Sequence, residues 1–424
     1  MTTTPTGPVR VHRDQLTFTL YGTFVMWGWF LYSFNPSVPL LTADLGITRA
    51  QGGLHGTALA AGSVVAAFLT PWLVRTYGRR ATLMAGGFVV AAGIVGVLLG
   101  TSLAWTLPAM FVVSTGSNIA ISSAQVALAL HHRGVASAVI TEANGVGSSL
   151  GLLGPLAVGG AVAAGWGWRP AVAVTAVLAV LTALFALRVR LPSRETRAHV
   201  VASVDDSGPT AAGPTAATPA EPGPVRRWPG RTARLRPQTL ASWCFLGAIL
   251  AGIGLENVTT YWSADLVIGQ TGAPAGIATA TTAGLVAGMS LIRFVVGPLS
   301  LRVRPAHLLT ASFIVAVVGW AVLWTATVPA VALAGLFVAG LGYGAQYPLA
   351  ISLLLRAAGA AVDKAQARAT LAGGLAIGVL PFALGALADA VGPHRAFLLV
   401  PVIAVVGAVA AMAGARASRG DEGA

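Results

Sequence analysis

The feature that most limits what this chain can become is a series of apolar runs, most of them about 20 residues or longer, separated by short charged or Gly/Pro-rich breaks. At about 1.5 Å rise per residue, such a run coiled as a helix crosses a hydrocarbon core of about 30 Å. In lipid the backbone must satisfy its own hydrogen bonds, so only helices or closed barrels can cross. The alternation of apolar and polar residues that marks a barrel strand is missing, which leaves helices. Charged residues make up 9% of the chain, against roughly a quarter in a soluble domain, too few to keep these runs in water.

Cutting at the breaks predicts spans near 16–41, 50–74, 81–100, 104–130, 136–164 and 170–188, then 240–266, 273–300, 307–326, 329–355, 362–387 and 394–414. The first run is far longer than the roughly 7 to 15 residues of a signal-peptide core, so no secretory cleavage is expected. With a cytoplasmic amino terminus, the inside loops carry Arg75, Arg79, Arg80, Arg133, Arg188, Arg190, Arg302, Arg304, Arg356, Lys364 and Arg368, and outside remain only Arg49, Arg169 and Arg395. The positive-inside rule then predicts a multi-pass protein of the cell membrane with both termini cytoplasmic. The position of these arginines accounts for the net charge of +13, and no nucleic-acid partner is expected. A lone cysteine, Cys244, excludes an intrachain disulfide.

Residues 190–238 contain "VDDSGPTAAGPTAATPAEPGPVRRWPGR", which has too little apolar surface to offset its ordering entropy. This segment reads as a flexible cytoplasmic linker between a first bundle, 1–189, and a second, 239–424, with its arginines resting on anionic headgroups. The two parts are related at an offset of 226 residues: "GWRPA" at Gly167 falls on "PHRAF" at Pro393, Pro155 on Pro381, and Gly159 on Gly385. A repeat of this kind is the signature of transporters that rock two bundles about a central site.

After the second span, "YGRRATL" (Tyr77 to Leu83) resembles the end of the cytoplasmic loop motif of the major facilitator superfamily, with Leu73, Gly78, Arg79, Arg80 and Leu83 matching. A second copy keeps Gly297, Leu299 and Arg302. Arg75 stands where the family usually has an aspartate that helps latch its outward-facing state, so the resemblance does not carry that latch over. Arg293, one turn before Gly297, is similar to an arginine often found there, near the inner mouth, and reads as structural rather than cargo-binding. "GLLGPLAVGG" (Gly151 to Gly160) resembles a motif of the family's proton-linked antiporters, whereas Val112 stands where its drug antiporters often carry an arginine. The resemblance implies an all-α membrane protein of twelve transmembrane helices in two pseudo-symmetric six-helix bundles, working as a monomer. It also implies that spans one, four, seven and ten line a central cavity.

Those four spans hold the unusual polar residues. Span one carries Trp27, Trp29, Tyr32, Ser33 and Asn35; span four carries Ser114, Asn118, Ser122 and Gln125 on one helical face. In span ten Tyr343, Gln346 and Tyr347 share a face, and in span seven Glu256 stacks on Thr260, and Asn257 on Tyr261. Each residue taken singly is explained by a hydrogen bond between helices; four stripes together point to a shared aqueous cavity. Trp29, Tyr32, Asn35, Asn118, Gln125, Asn257, Tyr261, Tyr343, Gln346 and Tyr347 are the candidate cargo contacts.

Of thirteen acids, only Glu142 and Glu256 lie well within spans. A carboxylate at membrane depth costs at least ~2.5 to 3.5 kcal/mol, so it faces a cavity or a partner and is a functional candidate by default. Glu256 is the expected proton carrier. Glu142 is either a second protonation site or a packing acid. His55 serves as a packing residue hydrogen-bonded within the bundle or as a relay. His131 and His132 stand at a loop edge without further Cys or His at ligand spacing, so no metal site is expected.

No phosphate loop, His-Glu-x-x-His pair or nucleophile elbow is present, and neither an enzyme nor a cofactor is expected. The expected function is secondary active transport of small organic molecules, by proton-coupled efflux of neutral or cationic amphipathic compounds. Proton-coupled uptake of a metabolite and a non-transporting sensor of the same fold are the alternatives.

Overall fold

The computed structural model describes residues 13–132, 136–188, 240–300, 302–358 and 361–422, and they are helical with no strand among them. The predicted linker, 190–238, lies outside the described residues. The first half comprises α1 (Gln15–Phe34), α2 (Val38–Leu45), α3 (Arg49–Leu99), α4 (Leu103–His131), α5 (Ala136–Gly151), α6 (Leu153–Ala163) and α7 (Arg169–Arg188). The second comprises α8 (Leu240–Thr271), α9 (Ala275–Ser300), α10 (Pro305–Trp324), α11 (Pro329–Ala358), α12 (Val362–Val391), α13 (Pro393–Ala396) and α14 (Leu399–Glu422).

Local chemistry sets the boundaries. Asp14 caps α1 by accepting from the Thr17 amide, and Thr48 with Gln51 forms a reciprocal capping box that starts α3. Gly46, at φ 61°, ends α2 in the left-handed conformation. Ten segments among the described residues are long and apolar enough to cross a membrane, α3 counting as one. At 51 residues α3 is about twice the length a bilayer needs. Gly78, at φ 79° and ψ 163°, breaks it into two arms and turns the chain, a backbone conformation that explains the glycine of the loop motif. The remaining predicted span is α1 followed by α2, joined through a short 3₁₀ turn at Asn35–Ser37.

The halves meet along two seams that obey the sequence repeat. At one, α6 crosses α9: a Cβ added to Gly159 would stand 2.5 Å from the Gly276 carbonyl oxygen. At the other, α12 crosses α3: a Cβ on Gly385 would stand 2.5 Å from the Arg49 carbonyl oxygen, beside Ala50. Gly159 and Gly385 are partners at the 226-residue offset, and so are Ala50 and Gly276. Close backbone approach through small residues is how helices associate where burial in lipid offers little drive.

A pair of substitutions tests this crossing. Gly159→Val should lower stability by about 1 to 3 kcal/mol through overpacking, whereas Gly160→Ala should be neutral or mildly stabilising, because nothing lies within 4 Å of its added Cβ. Thermal midpoints in detergent would measure both, and equal effects would show that the crossing is looser than described.

The halves are fastened mainly at the end that carries Arg49. Arg49 Nε stands 2.7 Å from Asp265 Oδ2 and its Nη1 3.8 Å from Asp389 Oδ1. Asp389 also accepts from the Arg49 and Ala50 amides at 3.0 and 2.9 Å, so an acid of the second half satisfies the exposed amides at the start of α3. Thr57 Oγ1 donates to the Gly378 carbonyl at 2.5 Å. Nothing lies within 4 Å of a Cβ added to Gly374, farther along α12. The bundle is therefore clamped across its halves at the Arg49 end; the opposite end, carrying Arg79, Arg80 and Arg302, is the basic end.

Candidate functional site

At the centre, four elements from both halves converge on Glu256. Tyr32 of α1 donates its hydroxyl to Glu256 Oε1 of α8 across 3.4 Å. Arg293 of α9 lies within electrostatic reach of both Glu256 and Tyr32. Its Nη1 donates to Ser148 Oγ of α5 at 2.5 Å. As a residue Glu256 is half-buried, neither sealed in packing nor open. One turn on, Thr260 donates to the Glu256 carbonyl at 2.8 Å and accepts from Asn35 Nδ2 at 3.4 Å. The acid is thus held across the interface that the two halves share.

Beside it stands a set of buried amides with spare hydrogen-bonding capacity. Gln346 is 1% exposed, and neither its Oε1 nor its Nε2 has a partner in the protein; Asn35 Oδ1 is in the same position. Gln346 packs on Gly252, one turn before Glu256. Leaving a buried polar group unpaired costs about 1 to 3 kcal/mol, so such groups mark places where function outweighs stability. Tyr343 is buried with its hydroxyl 3.0 Å from Thr259 Oγ1. Asn118 and Asn257 are half-buried and each donates to the carbonyl one turn earlier, at Ser114 and Ile253. Gln125 is half-buried and Tyr347 is 42% exposed.

Three expected site residues lie elsewhere. Trp29 turns its indole N–H to the Ala171 carbonyl of α7 at 2.9 Å, away from Glu256, because the adjoining Gly28 brings α5 against the facing side of α1. Tyr261 is wholly buried at the shut end, its hydroxyl near Gly56 in the α3–α12 seam. Glu142 is no central acid: it forms a double hydrogen bond with Arg13, at 2.7 and 3.0 Å, beside the cap of α1 at the basic end. Span five begins only two turns before Glu142, and the residue preceding Asp14 reaches back to neutralise it.

His55 is wholly buried, with Nδ1 2.8 Å from the Gly52 carbonyl and Nε2 3.0 Å from Thr106 Oγ1. In the loop motif, Arg80 hydrogen-bonds to the Leu187 carbonyl and anchors the turn to α7. Leu73 and Arg79 are half-buried there, and Gly297 and Arg302 are exposed at the matching loop.

Two groupings escaped the sequence. Arg293 was expected near the mouth, yet its long side chain reaches from the basic half of α9 to Tyr32. The only available signal was a basic residue inside an apolar span. The other grouping brings Asp14 to His131 and His132, with one ligand-capable atom of each within 4.8 Å of the others. Its members are separated by 117 residues, and no spacing rule would have joined them.

The profile of the Major Facilitator Superfamily matches residues 18–266 and 244–423. A chloramphenicol resistance protein of Streptomyces lividans is 30% identical over 384 residues, covering 87% of this chain and 89% of that protein. Among solved structures, a bacterial homolog to the human lysosomal transporter Spinster, inward-facing and unoccupied, superposes with a TM-score of 0.72 at 14% identity, over 96% of this chain and 99% of that one. The inward-open xylose transporter XylE from E. coli superposes with a TM-score of 0.71 at 13% identity, over 94% of each chain. These two likenesses concern the fold alone.

Proposed function

The chain belongs to the major facilitator superfamily, and from that premise we propose that it exports small amphipathic organic molecules in exchange for protons. Glu256 is the proton carrier in this reading, and the carrying observation is that this half-buried acid is hydrogen-bonded to Tyr32 across the interface of the two halves. A group in that position interacts differently with its surroundings when the halves rock apart at one end or the other. Protonation can therefore bias the two states, which is what coupling requires.

The positive-inside rule puts the basic end in the cytoplasm. With the Arg49 end clamped shut, the basic end would admit cargo from the cytoplasm, with Asn35, Tyr343 and Gln346 supplying hydrogen bonds and Tyr347 an aromatic face. Arg293 beside Glu256 offsets the site's negative charge, which favours neutral over cationic cargo. The name of the S. lividans relative supports efflux and makes chloramphenicol the first compound to try.

The test is reconstitution into vesicles with an imposed pH gradient and radiolabelled chloramphenicol. An exchanger concentrates cargo on the acidic side, a symporter concentrates it on the alkaline side, a pore only equilibrates it, and a sensor moves nothing. Movement toward the alkaline side would replace export with uptake. No movement across a broad panel of neutral amphipaths would remove the transport reading.

A further inference from the structure

Away from the central site, the start of α1 and the end of α4 bring three metal-ligating side chains together. Asp14 Oδ2 faces His131 Nε2 at 2.7 Å. His132 Nε2 stands 2.7 Å from Thr17 Oγ1, which in turn donates to Asp14 Oδ1 at 2.7 Å. The two imidazoles lie edge to face with centroids 4.6 Å apart. Consecutive helical residues point about 100° apart on a helix, so two adjacent histidines ordinarily diverge. Here His132 leaves the helix, at φ −110° and ψ 51°, and that swing returns its ring to the same place.

The cluster has the properties of a cation site as well as the residues. Asp14 accepts at Oδ1 from the Thr17 amide and hydroxyl, at 2.9 and 2.7 Å, and its Oδ2 meets His131 Nε2. Its neighbour Arg13, the obvious competitor, is already paired with Glu142. His131 and Asp14 are 31% and 38% exposed, which leaves a path from solvent, while His132 is buried. The Thr17 hydroxyl and the α1 amide at Thr17 hold Asp14 Oδ1, so Oδ2 stays directed at the histidines, the outer support that tightens metal sites.

We propose that Asp14, His131 and His132 bind a divalent cation of the zinc class and so tie the start of α1 to the end of α4. Two imidazoles and one carboxylate suit a borderline ion rather than calcium or magnesium, which prefer all-oxygen shells. Donors around a tetrahedral ion at about 2.0 to 2.2 Å stand about 3.3 Å apart. With all three atoms within 4.8 Å, side-chain rotation closes the site without moving either helix. On binding, each neutral imidazole presents its unprotonated nitrogen to the ion and keeps its proton on the other ring nitrogen, and the His131–Asp14 hydrogen bond gives way to bonds from both groups to the ion.

The test uses the full chain in detergent with any polyhistidine tag removed, titrated with Co²⁺ and Zn²⁺ by calorimetry, with visible absorption of the Co²⁺ form as a second readout. The expected result is one equivalent per chain, displaceable Co²⁺ bands, and a raised thermal midpoint. Affinity should fall by about tenfold or more in Asp14→Asn, which keeps the helix cap because asparagine caps as well as aspartate. His131→Gln with His132→Gln should abolish the bands. Circular dichroism and metal-free midpoints would establish that the variants are folded. Wild-type protein that binds no ion, or variants that bind with unchanged affinity and stoichiometry, would overturn the proposal.

Discussion

Glu256→Gln is expected to abolish accumulation of cargo against its gradient while leaving downhill movement in place. A gradient of one pH unit is worth about 1.4 kcal/mol per proton, which sustains about tenfold accumulation at one proton per cargo molecule. The glutamine keeps the volume and can still accept from Tyr32, but it cannot exchange a proton, so the accumulation ratio should fall from about ten to about one. Glu256→Asp should retain coupling with altered rates, since the carboxylate survives on a shorter arm. Full accumulation in Glu256→Gln would mean that protons travel by another route. Arg293→Gln separates positioning from carrying: it should leave a coupled protein whose pH profile is displaced, because the acid has lost the cation in its electrostatic reach.

Removing the Arg49 clamp should shift the protein toward the state open at the Arg49 end. Arg49 is paired with two carboxylates of the second half, and its side chain is 36% exposed. Discounting for solvent screening, Arg49→Ala should weaken the shut state by about 1 to 2 kcal/mol, a change of about 5- to 30-fold in population. Labelling of Asn35→Cys with an impermeant thiol reagent from the Arg49 side, in a Cys244→Ser background, reads this directly. Asn35 is 3% exposed with the bundle shut, so labelling should accelerate by that factor. Arg169→Ala is the matched control. It removes a 2.7 Å pair with Asp44 at the same end but within one half, and labelling should not change. Equal acceleration in both variants would indicate general loosening rather than release of a clamp.

These two effects arise from features of different legibility. Glu256 stood out in the sequence because an ionisable group deep in an apolar run has few explanations. Tyr32 and Asn35 were singled out as polar residues of span one and Gln346 by its shared face in span ten; Tyr32 meets Glu256, Asn35 meets Thr260 one turn on, and Gln346 packs on Gly252 one turn before. Trp29 and Tyr261 carried the same apparent signal, yet one faces α7 and the other lies in a sealed seam. Periodicity identifies a stripe on a helix; it does not say which neighbour that stripe meets. For Glu142, left open between a second protonation site and a packing acid, the pairing with Arg13 could not be read from one helix, since that partner comes from another segment.

The sequence alone determined that this chain crosses a membrane as helices, because runs of that length and polarity have no other stable arrangement in water or lipid. It also disclosed the repeat, since Gly159 and Gly385 share a packing constraint that small residues alone satisfy. Only the tertiary structure decided which end is shut, that Arg293 joins the central acid, and that Asp14 meets two histidines. Those facts depend on side chains brought together from distant segments, and such pairings are set by how whole helices cross rather than by any local pattern.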